Sequence, residues 1–241
     1  MRGGISAEPA NRNQASRLIL GSGLRISSFA VIMLAILLIS SGRPDWVMAW
    51  VYVGVFAALS ATGSTVLVLT HPELMAERTQ IKEDAKDWDK VLAPLVTVYI
   101  PVGVWIVAGL DTRGGWSARV PPELQWATLG VAVAGSLFAI WAMRSNKFFS
   151  LIFRIQRERG HSVVTSGPYH YVRHPAYAGG IVFNLATPLI LGSLWAFIPA
   201  AVHLSLFVLR TALEDRTLQR ELEGYPDYTQ RVRYRVLPGI W

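Results

Sequence analysis

The chain has 241 residues, of which 52% are hydrophobic and only 16% charged, with nine Trp and a formal net charge of +7. A soluble domain carries about 25% charged residues, so this composition excludes an ordinary water-covered globule and describes a surface that faces lipid. The positive charges lie between long apolar runs and not along one stripe, which argues against nucleic-acid binding, and the absence of Cys excludes a disulfide framework, a Cys metal site and a Cys nucleophile.

The chain opens on a polar stretch with Arg2, Arg12, Arg17 and Arg25. We expect residues 1–23 to form a cytoplasmic tail. The apolar run Leu24–Ser41 is too long for a signal peptide and has no small-residue cleavage site, so it reads as a retained first transmembrane helix. Three more runs follow, Trp46–Thr70, Val91–Leu110 and Leu124–Met143. Each approaches or exceeds the roughly 17–25 residues that cross the hydrocarbon core. Residues 24–145 are therefore expected to hold four full spans. His71–Lys90, between the second and third runs, mixes acids with bases after a Pro and reads as a solvated interfacial helix.

Beyond residue 145 the pattern changes, and residues 146–241 read as a separate functional core. Pro175–Leu209 is apolar but interrupted at Leu191-Gly-Ser193, so it is expected to form a short helical hairpin. Thr211–Arg235 is charged, with Leu213, Leu218 and Leu222 at helical spacing, and predicts a cytoplasmic helix broken near Gly224-Tyr-Pro226. The fold class is thus all-α: a polytopic membrane protein of four spans, a short C-terminal apolar hairpin and a cytoplasmic helix. All Lys and Arg except Arg43, Arg113 and Arg119 fall at the termini or in the second and fourth loops. Positive charge marks the cytoplasmic side, so both termini and those loops are placed there, in what would be a bacterial inner membrane.

Two clusters carry chemistry. The first is Gln156–Tyr177, which crowds His161, His170, His174, Tyr169, Tyr171 and Tyr177 around Pro168 and Pro175. Proline stiffens the backbone, and a stiff loop rich in hydrogen-bonding aromatics suits a polar ligand at a membrane face. An ordered interfacial loop with a tyrosine belt would look the same. The His spacing matches no common metal-ligand pattern and no acid lies between His161 and His174, so no metal is expected. The second cluster is Arg210 and Glu214, four apart where the last apolar run meets water. Ionisable groups there are functional or paired, and the spacing equally allows a simple ion pair between the two.

Taken together, Gly167-Pro-Tyr169, Val172-Arg-His-Pro-Ala-Tyr177, the hairpin, Arg210-Thr-Ala-Leu-Glu-Asp215 and Gly224-Tyr-Pro-Asp-Tyr228 resemble the isoprenylcysteine carboxyl methyltransferase family over about residues 146–238. Phospholipid N-methyltransferases share the broad pattern. The resemblance implies a membrane enzyme that binds S-adenosylmethionine in a cytoplasmic pocket, with a lipid-facing tunnel for a prenyl chain. Carried over by position, the cofactor would be held by Gln156, by His161, Ser162, Val163 and Val164, by Tyr169, by His174, Pro175, Ala176 and Tyr177, and by Glu214. Arg210 would hold the substrate and act as the catalytic residue. The spacing from Gln156 to His161 varies in the family, which puts Gln156 in doubt, and Asp215 stands where members often have a second Glu. The implied reaction is methylation of the carboxylate of a prenylated cysteine or similar lipidic acid. An amine-directed lipid N-methyltransferase and a non-catalytic membrane protein are the alternatives.

Overall fold

The computed structural model describes residues 12–77 and 85–241, with side chains at 16–74 and 85–241. Among the described residues every regular element is helical. Helix α1 spans Arg12–Ser41, α2 Val47–Thr70 and the short α3 Pro72–Glu77. Helix α4, Asp87–Pro94, runs through a π-helical turn at Leu95–Tyr99 into α5, Ile100–Gly114. Helix α6 spans Pro122–Ser145, α7 Pro175–Ile190, α8 Phe197–Glu221 and α9 Tyr225–Arg231. Helical structure satisfies every backbone group internally, which lipid requires.

Among the described residues five helical segments are long and apolar enough to cross a membrane: Ser16–Ser41, Val47–Thr70, Asp87–Gly114, Pro122–Ser145 and Phe197–Glu221. This corrects the expected four spans plus a short hairpin. The turn falls where Leu191-Gly-Ser193 placed it, at a left-handed Gly192 (φ 72°). Only the first arm is short, at 16 residues; the second is an unbroken helix of 25. That second arm runs on through Arg210 into the helix expected from Thr211 onward and ends at Glu221, ahead of the break expected near Gly224. The first helix likewise begins at Arg12, inside the stretch assigned to a tail. Of the 71–90 connector, Pro72–Glu77 is helical; Arg78, Lys82, Glu83 and Asp84 lie outside the described residues.

Close helix contacts are made by small residues, as is usual where lipid offers no hydrophobic drive for association. A Cβ added at Gly179 would strike the Gly135 carbonyl oxygen, and one at Gly109 would strike Ser40. Pro94 cannot donate to the helical ladder, and the π turn follows it directly. The Val96 carbonyl of that turn takes a hydrogen bond from His203 Nε2 at 2.7 Å.

The loops gather at two ends. At one, Glu73 pairs with Arg159 (3.3 Å), Lys86 with Glu221 (2.7 Å), and the Arg173 amide donates to the Tyr234 carbonyl (3.0 Å). The α3–α4 connector, the 146–174 loop and the C-terminus therefore share a face. At the other end buried Asp111 accepts from Ser117 and, at 2.5 Å, from Ser193, tying the α5–α6 loop to the α7–α8 turn.

Candidate active site

The 146–174 loop has little regular structure, and side chains hold its shape. Asn146 Nδ2 donates to the Tyr169 hydroxyl (3.0 Å), and Asn146 Oδ1 accepts from the Phe148 amide (2.9 Å). Gln156 is fully buried; its Nε2 donates to the Phe148 carbonyl (2.7 Å), and its Oε1 accepts from Arg159 (2.6 Å). Gly167 has φ 60°, and a Cβ there would meet Ser145, so only glycine fits that turn. The C-terminal segment closes the loop from outside: the His174 amide donates to the Arg235 carbonyl (2.8 Å), and the Tyr228 hydroxyl donates to the Tyr169 carbonyl (2.5 Å).

His161 stacks on Phe148, ring centroids 4.4 Å apart, and its Nδ1 accepts from the Gln156 amide at 3.2 Å. Burial, reinforced by the nearby Arg154 and Arg159, lowers its pKa to about 4. The ring is therefore neutral at physiological pH, and Nε2 carries its proton. Burial raises the phenols of Tyr169, Tyr225 and Tyr228, which stay protonated.

Opposite the loop stands α8, with Arg210, Glu214 and Leu218 along one face. Glu214 accepts a hydrogen bond from the Tyr177 hydroxyl at 2.6 Å, and His174 Nδ1 lies 3.7 Å from it. Tyr177 stacks on His174 with an interplanar angle of 9°. The i,i+4 ion pair that spacing allowed between Arg210 and Glu214 is not formed. Arg210 instead reaches across to fully buried Asp89 of α4, donating from Nε (2.6 Å) and Nη2 (2.9 Å), and Nη2 also donates to the Leu151 carbonyl (2.7 Å). Asp89 also accepts from the Phe153 amide (2.6 Å), so one carboxylate fixes both the guanidinium and the loop. The Arg210 guanidinium carbon lies 5.3 Å from the centre of the Tyr177 ring, with Nη1 left uncommitted.

Between loop and helix lies a cleft with about 80 Å³ of enclosed volume, inside about 730 Å³ of empty space partly open to solvent. Of the residues singled out in the sequence, His161, Ser162, Val163, Val164, Tyr169, His174, Ala176, Tyr177 and Glu214 line it. Gln156, Pro175 and Arg210 do not: Gln156 is spent on bracing the loop, and Arg210 sits behind Tyr177. Sequence reasoning missed Asn146, Phe148, Phe149, Arg154, Arg173, Tyr225 and Tyr228, which also line the cleft, and it missed Asp89. Tyr225 and Tyr228 lay in a quoted motif, but nothing in their spacing aimed them inward. Asp89 was one charge in a mixed connector, and only the fold brings it to Arg210. No group of three or more metal-binding side chains occurs among the described residues.

A second cavity of about 450 Å³ lies deeper, between α2, α5, α6, α7 and α8. Its wall is mainly apolar, with Phe56, Trp105, Ile140, Phe183 and Phe207, and it shares Ala176 with the cleft.

Residues 128–220 match the model of the isoprenylcysteine carboxyl methyltransferase family. The chain is similar to the protein-S-isoprenylcysteine O-methyltransferase of Schizosaccharomyces pombe, 30% identical over 118 residues that make up 48% of this chain and 49% of that protein. It is also similar to protein-S-isoprenylcysteine O-methyltransferase B of Arabidopsis thaliana, 31% identical over 90 residues, 36% of this chain and 46% of that one. The chain thus spans about half the length of the curated relatives it matches. A solved structure of the eukaryotic intramembrane Ras methyltransferase ICMT, without a monobody, superposes with a TM-score of 0.57 at 19% identity, over 89% of this chain and 75% of that chain. The fold is therefore that of an integral membrane protein of this architecture, and the family match covers the quoted motifs as far as Asp215 but not Gly224–Tyr228.

Proposed function

We propose that the chain is an S-adenosylmethionine-dependent carboxyl O-methyltransferase that acts within the membrane on a prenylated cysteine or similar lipidic acid. The observation that carries this reading is the meeting, at Ala176, of a cleft of mixed polar and aromatic lining and a mainly apolar cavity, with Glu214 in the cleft and Arg210 on the same face of α8 behind Tyr177. A substrate with a long apolar tail and an anionic head needs such a junction, tail in the cavity and head at its mouth.

The cleft's chemistry fits the cofactor. Glu214 offers a carboxylate to hydroxyl or ammonium groups and favours a cation nearby. Phe148, His161 and Tyr225 offer aromatic faces, and Arg173 offers a cation. When bound, S-adenosylmethionine supplies a methyl group activated on a sulfonium. The protein's work is then positioning, which is worth many orders of magnitude when the line of attack is right. A carboxylate acceptor is already ionised near neutral pH, so no general base is required.

The uncommitted Nη1 of Arg210 is the group available to orient that acceptor. Asp89 occupies the Nε–Nη2 edge of the guanidinium, so Nη1 offers a single anchoring point. Tyr177 covers the Arg210 guanidinium and donates its hydroxyl to Glu214 in a hydrogen bond. An amine acceptor would arrive as an ammonium facing Arg210, which favours the carboxyl reading over phospholipid N-methylation. The basic end of the bundle, which carries the cleft, faces the cytoplasm in this reading on charge alone. The curated relatives named above are eukaryotic and lend nothing to a bacterial membrane.

A labelled-methyl assay on the purified chain tests the assignment. Transfer to a farnesylcysteine analogue and not to phosphatidylethanolamine is the expected result. The reverse preference would install the N-methyltransferase reading. No transfer to either, with no binding of S-adenosylmethionine by folded protein, would leave a non-catalytic role.

A further inference from the structure

Arg173 ends the 146–174 loop, with its amide held by the Tyr234 carbonyl at 3.0 Å and its side chain only 6% exposed. It lines the cleft. A guanidinium presents five N–H donors in a fixed fork, and buried polar groups are almost always satisfied. Arg173 breaks that rule: its buried Nε has no hydrogen-bond partner, and no described residue accepts a hydrogen bond from its guanidinium.

The neighbour that would be expected to accept is already full. Asp215 lies 3.4 Å from Arg173 Nε. Its Oδ1 takes the Tyr225 hydroxyl (3.0 Å) and faces His174 Nε2 (3.4 Å). Its Oδ2 takes Gln219 Nε2 (2.8 Å) and Arg235 Nε (2.9 Å). A carboxylate has about four lone-pair sites, and all four are spoken for. Asp215 thus compensates the charge of Arg173 through space and leaves its donors unpaired. The contrast with Arg210 and Arg154 is direct: each of those donates to a carboxylate, Asp89 and Glu158 respectively.

A buried cation with free donors at a cleft wall calls for an anion. The methyl donor carries one anionic group at neutral pH, the α-carboxylate of its amino-acid end. In the proposed reading the acceptor's carboxylate is taken by Arg210, which sits behind Tyr177 and lines neither the cleft nor the apolar cavity; Arg173 lines the cleft itself, among loop and C-terminal residues. We infer that Arg173 is a carboxylate-binding subsite of the cleft and holds the amino-acid end of the donor. The inference rests on the reading of the cleft as the donor pocket.

Calorimetry on the purified full chain separates the two. S-adenosylhomocysteine carries the carboxylate, whereas 5′-methylthioadenosine shares the nucleoside and sulfur but lacks the amino-acid end. Arg173→Gln should weaken S-adenosylhomocysteine by about tenfold or more, the scale of a lost charged hydrogen bond, and leave methylthioadenosine within about twofold. Arg173→Lys, which keeps the charge and the fold but loses the fork, should fall between Gln and the parent for S-adenosylhomocysteine alone. It decides the question if the Gln variant fails to fold. Equal losses for both ligands, or no loss for either, would overturn the subsite and leave the donor pocket standing. No binding of either ligand by the parent protein would overturn the donor pocket and the subsite with it.

Discussion

Arg210 and Glu214 looked alike in the sequence, two charges at a helix end, and the structure gives them opposite circumstances. Glu214 faces the cleft and is held by one neutral hydroxyl, so it has capacity left for a ligand. Glu214→Ala should therefore weaken S-adenosylmethionine binding by about ten- to a hundredfold, the cost of losing one charged hydrogen bond; unchanged affinity by calorimetry would remove Glu214 from the site. Arg210 is buried in a two-bond ion pair. Arg210→Ala should abolish turnover, but it also strands the Asp89 carboxylate, a loss of about 3–5 kcal/mol in comparable cases. The informative change is Asp89→Asn, which keeps the shape while weakening the hold on Arg210. Turnover should fall more than donor affinity, and the equivalent result with Asp89→Glu should be milder; donor affinity falling in step with turnover would show a general collapse of the loop instead. His161 adds a pH signature. Unfolded, its ring titrates near 6.5, and folded it titrates near about 4. Between those values the unfolded chain binds a proton that the folded chain does not, so the His161 contribution to stability is complete above about pH 6.5 and is lost as pH falls toward 4. His161→Asn keeps an acceptor for the Gln156 amide and removes this titration. Its thermal midpoint in detergent should fall less than the parent's between pH 6.5 and 4.5; parallel curves would rule out the buried neutral ring.

Helix existence was legible because lipid imposes a coarse rule: about 20 apolar residues span, and backbone groups must pair within the helix. Helix ends were less so. The start of α1 at Arg12 and the passage of α8 through Arg210 both place charge inside a helix, where hydropathy reads a boundary. A buried ion pair cancels the cost that hydropathy assigns, and its partner, Asp89, lies 121 residues away. Nine of the twelve site positions carried by motif line the cleft, because motif residues share a local backbone that the fold preserves. Asp89 was invisible as a neighbour of the site because its pairing with Arg210 is long-range, whereas Arg173 stood inside a quoted motif without a role of its own. The α6–α7 contact was equally hidden. Gly135 and Gly179 read as ordinary membrane glycines, yet each sits where a Cβ would collide with the other helix. Gly179→Ala should therefore push α7 from α6, lower the thermal midpoint by several degrees and reduce methyl transfer, since α7 carries Tyr177. Gly54, with no atom within 4 Å of an added Cβ, is the control; Gly54→Ala should change neither quantity. Equal behaviour of the two variants would show that the small-residue contact is not what seats α7.

The whole molecule brings two unlike pockets together at one residue, Ala176. The loops and C-terminal segment make a polar cleft at the basic end of the bundle, and the spans enclose a mainly apolar cavity of about 450 Å³ that shares Ala176 with it. The two are built by different parts of the chain. The cleft comes from residues beyond 145, nearly all within the matched segment or just after it. The cavity needs α2 and α5 as well, with Tyr52, Phe56, Ser64 and Trp105 in its wall, none of which the family match covers. Donor binding should thus depend on the C-terminal core and tail binding on the N-terminal spans, so the two are separable by substitution. Ser64, half-buried in the cavity wall on α2, makes no hydrogen bond among those described, and enlarging it fills the cavity without touching the cleft. Under the carboxyl methyltransferase reading, Ser64→Phe should raise the KM for a farnesylated acceptor several-fold, raise that for a short-chain acceptor little, and leave S-adenosylmethionine affinity unchanged. An equal rise for long and short acceptors would place the tail outside this cavity, and a loss of donor affinity would show that cleft and cavity do not act as separate compartments.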